Sequence, residues 1–414
     1  MNVEKKSLKE NMIWNSVGSF TYLFLQWLLT VVIVKLAGYT VNGQFSLAMS
    51  ISNVFVVVAN YSMRNYQISD AKNKYTVGTY VASRYETCAI GFISCIIFVV
   101  CNNYNVEQAT IIIVYMIFRL SECLVDVFQG IQQKAERMDY IGISLLIRGI
   151  LCFVIFTGVF WVTLNIVVAI VAMTIVAYLV IIIYDIPKCR MLQEILIRNT
   201  QRKINQLLVE CFPLVIYLIM SNCIVTVPRY FLERFHSEDI LGVYAAIATP
   251  TVIVQVAASY LFYPLMTIFT DTIVEKNQKK FYSLFIKVSF AIAIVAVVAL
   301  VGCVVLGEWG LQLLFGKEIL EYAYLLIPVM LCTVMNAYVW FLSALLTVMR
   351  DFKGLIISNV MASIPCVILS VILIPRFSMD GVNYVLYVSL AIEIILLLFF
   401  GTTKLRSIMT KEVD

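Results

Sequence analysis

The chain is short of histidine, of charge and of catalytic motifs. Among its 414 residues the single histidine is His236, which leaves no basis for an imidazole metal site. Eleven cysteines contain no CxxC pair. Ten of them fall in or at the ends of apolar runs, where a thiol reads as a small buried hydrophobe rather than part of a disulfide framework. There is no phosphate-cradling glycine loop, so nothing indicates an ATPase, and no nucleophile–base pair. No cleavable leader is expected. The first apolar run follows Lys5, Lys6 and Lys9, is too long for a signal core and lacks a small-residue cleavage site.

Charged residues make up only 13% of the chain and hydrophobic ones 62%, with mean hydropathy +0.93. Soluble domains are about half apolar and a quarter charged. A chain this apolar cannot hide its surface in one aqueous core, so its solvent is lipid. The net charge of +5 says little until the charges are placed.

A spanning helix needs about 20 mostly apolar residues. The hydropathy predicts twelve, near 12–34, 44–63, 85–101, 109–128, 141–161, 164–184, 209–227, 241–264, 284–306, 321–348, 354–374 and 381–401. With the N-terminus inside, 23 of the 30 basic residues fall on the inner side, Lys72, Arg84, Arg198 and Lys411 among them. Five fall outside, namely Lys35, Arg229, Arg234, Lys317 and Arg376. Two, Arg119 and Arg148, lie within spans. That bias predicts cytoplasmic termini. The expected organisation is all-α: a six-helix bundle over 1–187, a basic cytoplasmic linker over 188–208 and a second bundle over 209–414. The linker stretch 188–206 reads as an amphipathic surface helix.

The halves carry matching fragments in register. "VNGQFSLA" between spans one and two matches "ILGVYAAI" between spans seven and eight, pairing Gly43 with Gly242. "RMDYIGIS" matches "MRDFKGLI", pairing Asp139 with Asp351 and Gly142 with Gly354. Both aspartates are placed to cap the helices that follow. The repeat is parallel, about an axis along the membrane normal. Pro213, Pro250 and Pro328 fall in or near the starts of spans, where proline can bend a helix.

"RNYQISD", "DVFQGIQQKAERMDYIG" and "LGVYAAIATPTVIVQVAASYLFYPL" resemble bacterial polysaccharide transporters. These are the Wzx-type flippases of the multidrug/oligosaccharidyl-lipid/polysaccharide (MOP) exporter superfamily. The resemblance implies two six-helix bundles related by a pseudo-two-fold axis around a central cavity, working by alternating access. It implies a bacterial cytoplasmic-membrane location and an undecaprenyl-pyrophosphate-linked oligosaccharide as substrate, for O-antigen, capsule or exopolysaccharide synthesis. Membrane lipids and other polysaccharide-assembly membrane proteins would be its partners, with no nucleic acid and no cofactor.

One span breaks the apolar rule. "FRLSECLVDVFQGIQQK" places Arg119, Glu122, Asp126, Gln129 and Gln133 within an arc of about 80° of one helix. A charge at a helix centre costs about 2.5–3.5 kcal/mol on insertion scales, so this face must meet a partner helix or a wet cavity. Arg148 on the next span is an expected ion-pair partner for Glu122 or Asp126. Two readings stand: a structural ion-pair cluster, or a cavity lining that handles a pyrophosphate sugar, for which the arginine fork is suited. Asn53 and Asn60, seven residues apart, are either sugar contacts or glue between helices. Arg64 is either a headgroup contact or an interface anchor. Asp126 and Glu393 are candidates for coupling to H+ or Na+. The alternatives to a flippase are an ion-coupled multidrug antiporter of the same superfamily and a membrane enzyme of polysaccharide assembly. Short outer loops count against the enzyme.

Overall fold

The structure is a computed structural model, and it describes residues 8–70, 74–193, 195, 201–262 and 265–410. Lys5, Lys6, Lys72, Arg198 and Lys411, counted on the inner side above, lie outside the described residues. All regular structure among the described residues is helical. In chain order the helices are α1 (Leu8–Asn60), α2 (Met63–Ser69), α3 (Val77–Cys101), α4 (Val106–Lys134), α5 (Met138–Thr163), α6 (Ile166–Val180) and α7 (Ile186–Leu192). Then come α8 (Gln201–Phe235), α9 (Glu238–Ala248), α10 (Val252–Phe262), α11 (Met266–Val274), α12 (Gln278–Phe315), α13 (Leu326–Val348) and α14 (Phe352–Thr410).

Among the described residues nine helical stretches are long and apolar enough to cross a membrane. Two of them contain a break at mid-length. α1 breaks at Gly38 (φ 82°, ψ −173°), a backbone that a side chain would strain. α14 breaks at Ser378 (φ 50°), just past Pro375, which removes a backbone donor. Each arm is long enough to span. α4, with its charged face, is the remaining span, so the total among the described residues is twelve, as the hydropathy predicts. Two expected boundaries move. "VNGQFSLA" belongs to the second arm of α1 rather than to a loop. α3 begins at Val77, eight residues earlier than expected, which draws Arg84 off the inner surface and into the bundle.

Large apolar side chains face outward in rows, as lipid contact requires. The most apolar window of α12 is only 11% buried, and Phe290, Val297, Val304 and Trp309 stand on its exposed face.

The chain divides into two compact units, Met1–Ile219 and Met220–Asp414, and the division falls within α8. In the first unit, α1 packs along α5, and α4 lies against α1, α3 and α6. The α1–α5 crossing rests on Gly18 and Gly142. A Cβ on Gly18 would overlap the Gly142 backbone, and one on Gly142 would overlap the Trp14 carbonyl. At the same end, Asn11 donates to the Glu136 carbonyl at 2.8 Å and accepts from the Asp139 amide at 3.1 Å. The Asp139 carboxylate lies in the first turn of α5. It is taken in a fork by Arg137 Nε and Nη2, both at 2.8 Å. Asp351 does cap α14, accepting from the Gly354 amide at 3.2 Å.

In the second unit, the later turns of α8 run along the first arm of α14. Ser363 Oγ donates to the Met220 carbonyl at 3.2 Å, and His236 Nε2 meets the Ile374 carbonyl at 2.9 Å. Pro250 sits in a 3-10 turn, Thr249–Thr251, that separates α9 from α10. Phe341 gathers the rings of Phe262, Phe269 and Phe285.

The expected surface helix over 188–206 is divided. α6 continues through a π-helical turn, Ile181–Asp185, into α7, while residues 201–206 open α8. Residues 194 and 196–200 lie outside the described residues. Cys189, and beyond the stretch Leu207 and Cys211, are buried with Val125, Phe128 and Ile131 of α4, while Arg190, Met191, Arg202, Lys203 and Asn205 are exposed, so each segment has one buried and one open face.

Candidate functional site

The polar face of α4 is sorted by depth into layers. At one level, Arg119 pairs with Glu122 and donates to Asn53 Oδ1 at 3.0 Å. Glu122 also accepts from the Tyr22 hydroxyl. This layer is charge-balanced and joins α4 to both arms of α1.

The next layer is built around Asp126. Arg84 of α3, wholly buried, donates to Asp126 Oδ2 at 2.7 Å, to Asn60 Oδ1 at 3.1 Å and to the Ala59 carbonyl at 2.9 Å. Ala59 lies in the last turn of α1, where carbonyls lack helical partners and the helix dipole favours a cation. The chain ends that helix with Tyr61 and Ser62 at φ of 50° and 52°. The left-handed pair swings it into α2, which packs on α4. Arg64 is thereby brought back over Asp126. It donates to Gln129 and Gln133 at 2.8 Å each and reaches Asp126 Oδ1 at 3.4 Å.

A cavity of about 340 Å3 opens here, lined by Asn60, Ser62, Arg64, Ile68, Asp126, Gln133 and Leu218. Arg64 and Asp126 keep 27% and 24% of their side-chain surface exposed. Two arginines share one carboxylate, so the layer carries surplus positive charge. The exposed cation presents amide-anchored guanidinium nitrogens to the cavity. Chemically, this is an arrangement for an anion with polar neighbours.

Beyond α2 the chain is fastened by a smaller network. Glu210 of α8 accepts from Lys74 at 2.6 Å and from the Tyr66 hydroxyl. Those bonds, Lys74 first, hold the Glu210 carboxyl below the ordinary range. Burial pushes the Asp70 carboxyl up, but the Lys74 and Tyr75 amides and the Tyr80 hydroxyl more than offset it. Asp70 therefore stays ionised where the α2–α3 segment needs it.

A family model described as "Polysaccharide biosynthesis protein" matches residues 8–270. The chain belongs to the polysaccharide biosynthesis protein family. Within reach by sequence is the capsular polysaccharide biosynthesis protein CapF of Staphylococcus aureus. The two are 23% identical over 394 residues, which are 93% of this chain and 98% of that one. Among solved structures, an inward-facing MATE-family multidrug resistance transporter of the MOP superfamily aligns with TM-score 0.72 at 11% identity. That alignment covers 97% of this chain and 100% of the other. The lipid II flippase MurJ, in an inward closed conformation, aligns with TM-score 0.73 at 15% identity, over 96% and 90% of the two chains. These likenesses establish the fold: this family member is a multi-pass membrane protein with the MOP transporter architecture. The resemblance read from its sequence holds.

The structure separates the residues singled out in the sequence. Asn60, Arg64, Asp126, Gln129 and Gln133 come together at the cavity. Arg119, Glu122 and Asn53 form the layer beside it. Arg148 does not pair with Glu122 or Asp126. It is 1% exposed, donates to Ser121 Oγ and lies 6.0 Å from the Phe118 ring centre. Ser121 points off the polar arc of α4 towards α5, and both acids are already held by other arginines. Glu393 is buried on α14 with no partner for Oε1 among the described residues. Sequence reasoning missed Arg84, the nearer partner of Asp126, by placing it at a surface.

Proposed function

We propose that this chain is a flippase that carries undecaprenyl-pyrophosphate-linked oligosaccharide units across the bacterial cytoplasmic membrane by alternating access. One observation carries the reading: an open polar cavity whose charge is in excess by one exposed arginine, held by two glutamines against an acid. A pyrophosphate with attached sugars needs such cations and amides, shielded from lipid. Family membership supports it, as does the fold shared with a lipid II flippase. The multidrug antiporter is the second reading, favoured by the equal likeness to MATE transporters. An organic cation, however, would meet the surplus positive charge at Arg64.

Arg119, Glu122 and Asn53 serve in this scheme as supports of the cavity wall, and Arg148 as a buried cation behind it. Coupling to H+ or Na+ belongs to the proposal, with Asp126 and Glu393 as its sequence candidates. Deleting the gene is the test. Cell-surface polysaccharide should be lost while lipid-linked units accumulate, and restored by the intact gene. Unchanged surface polysaccharide with altered drug resistance would favour the antiporter.

The orientation is proposed from the 23-to-5 split of basic residues. Reporter fusions after residues 70, 135, 200, 275 and 352 should read cytoplasm, and those near 40, 104, 235, 315 and 378 the outside. An outside reading near 200 would break the six-plus-six arrangement.

A further inference from the structure

The π-helical turn that joins α6 to α7 ends on Asp185. A π turn inside an α-helix carries an extra residue and often marks a functional position. The Asp185 side chain is completely buried, and neither carboxyl oxygen has a hydrogen-bond partner among the described residues. α4, α5 and α6 all pack against the turn. Ser144 of α5 stands beside Asp185 with its hydroxyl in reach of the carboxyl but outside hydrogen-bond geometry. One helical turn further along α5 is Arg148, whose field reaches Asp185 but whose ion-pairing atoms do not. Arg148 is turned to Ser121 instead, and its Nε is likewise without a partner. The other titratable groups around the turn are Tyr184, Lys188 and Cys189 of the same helix and Tyr140 of α5, whose ring centre lies 4.9 Å from Lys188 Nζ. From α4 comes the uncharged Gln132, which meets the Cys189 thiol at 3.5 Å. Arg137 and Asp139, at the start of α5, are bound to each other.

Burying an ionised carboxylate without hydrogen bonds costs several kcal/mol, and such a group relieves the cost by becoming neutral or by finding a cation. Both routes are built in here. We propose that Asp185 is a proton-binding site, carrying its proton in the arrangement seen here and releasing it when Arg148 leaves Ser121 to pair with it. The proton passes to or from water as the helices part, and the Asp185 carboxylate that remains is neutralised by the Arg148 guanidinium. The net charge of the pair thus changes from +1 to zero, with one proton released. This inference does not depend on which substrate the chain carries.

Infrared spectroscopy of the intact protein, reconstituted in lipid and labelled with 13C at its aspartate carboxyls, tests it. At pH 7 the wild-type protein should show a protonated-carboxyl C=O band that shifts with the aspartate label. Raising the pH should bleach it. Asp185→Asn, a neutral isostere expected to accumulate normally, should lose the band, whereas Glu393→Gln should keep it. If Asp185→Asn folds poorly, Asp185→Glu gives a second reading: the band should then shift with glutamate label instead of aspartate label. No labelled band in the wild type, or a band that survives Asp185→Asn, would overturn the proposal.

Discussion

Arg64→Ala is expected to abolish polysaccharide export at near-normal protein levels. The side chain is partly exposed, stands on a short helix outside the main bundle and shares its acid with Arg84. Removing it leaves Asp126 paired and Gln129 and Gln133 open to the cavity. The fold therefore loses little. A phosphate in contact with Arg64 would lose a charge-assisted pair, an effect of about 2–5 kcal/mol, or thirtyfold and more. Arg64→Lys keeps the charge but not the fork, so it should restore export only in part. Surface polysaccharide, measured against the amount of membrane-inserted protein, checks both variants. Normal export in Arg64→Ala would remove this residue from the mechanism.

The opposite result is expected for Arg84→Ala. Arg84 is wholly buried and ties α1, α3 and α4 together through Ala59, Asn60 and Asp126. Breaking a buried pair by removing one partner costs about 3–5 kcal/mol, because the other charge is left uncompensated. Folded protein, measured by size-exclusion chromatography of detergent extracts, should fall severalfold or more. Replacing both partners, Arg84→Met with Asp126→Leu, should recover most of it, since no buried charge is then stranded. Full folding of Arg84→Ala alone would mean that Arg64 suffices to hold Asp126.

These two arginines also show how far sequence reasoning reaches. Hydropathy locates twelve spans because lipid imposes length and apolarity on each. It locates their ends poorly. The first turns of α3, "VGTYVAS", read as loop by composition, so Arg84 reads as a surface cation. In the fold those turns are buried against α1, and Arg84 becomes internal. The polar arc of α4 is legible because 100° per residue fixes direction around a helix. That arithmetic does not say which neighbour stands at each level. Arg148 illustrates the difference: its charge suggests an acid partner, yet it meets Ser121 from a different side of α4. The swing of Arg64 over Asp126 depends on two left-handed residues, Tyr61 and Ser62, neither of them the glycine that would signal such a turn. Asp185, near a helix end and followed by Ile-Pro-Lys, gives no sequence signal of the burial found at the π turn.

The proposed activity is movement of a lipid-linked oligosaccharide across the membrane by way of the cavity at Arg64. Purified protein reconstituted into vesicles, with undecaprenyl-pyrophosphate-linked oligosaccharide confined to the inner leaflet, tests it most directly. Capture of the sugar by an external lectin reports movement. Time-dependent capture is expected with the wild-type protein, and capture no faster than in protein-free vesicles with Arg64→Ala. Equal rates in wild-type and protein-free vesicles, or undiminished movement with Arg64→Ala, would contradict it.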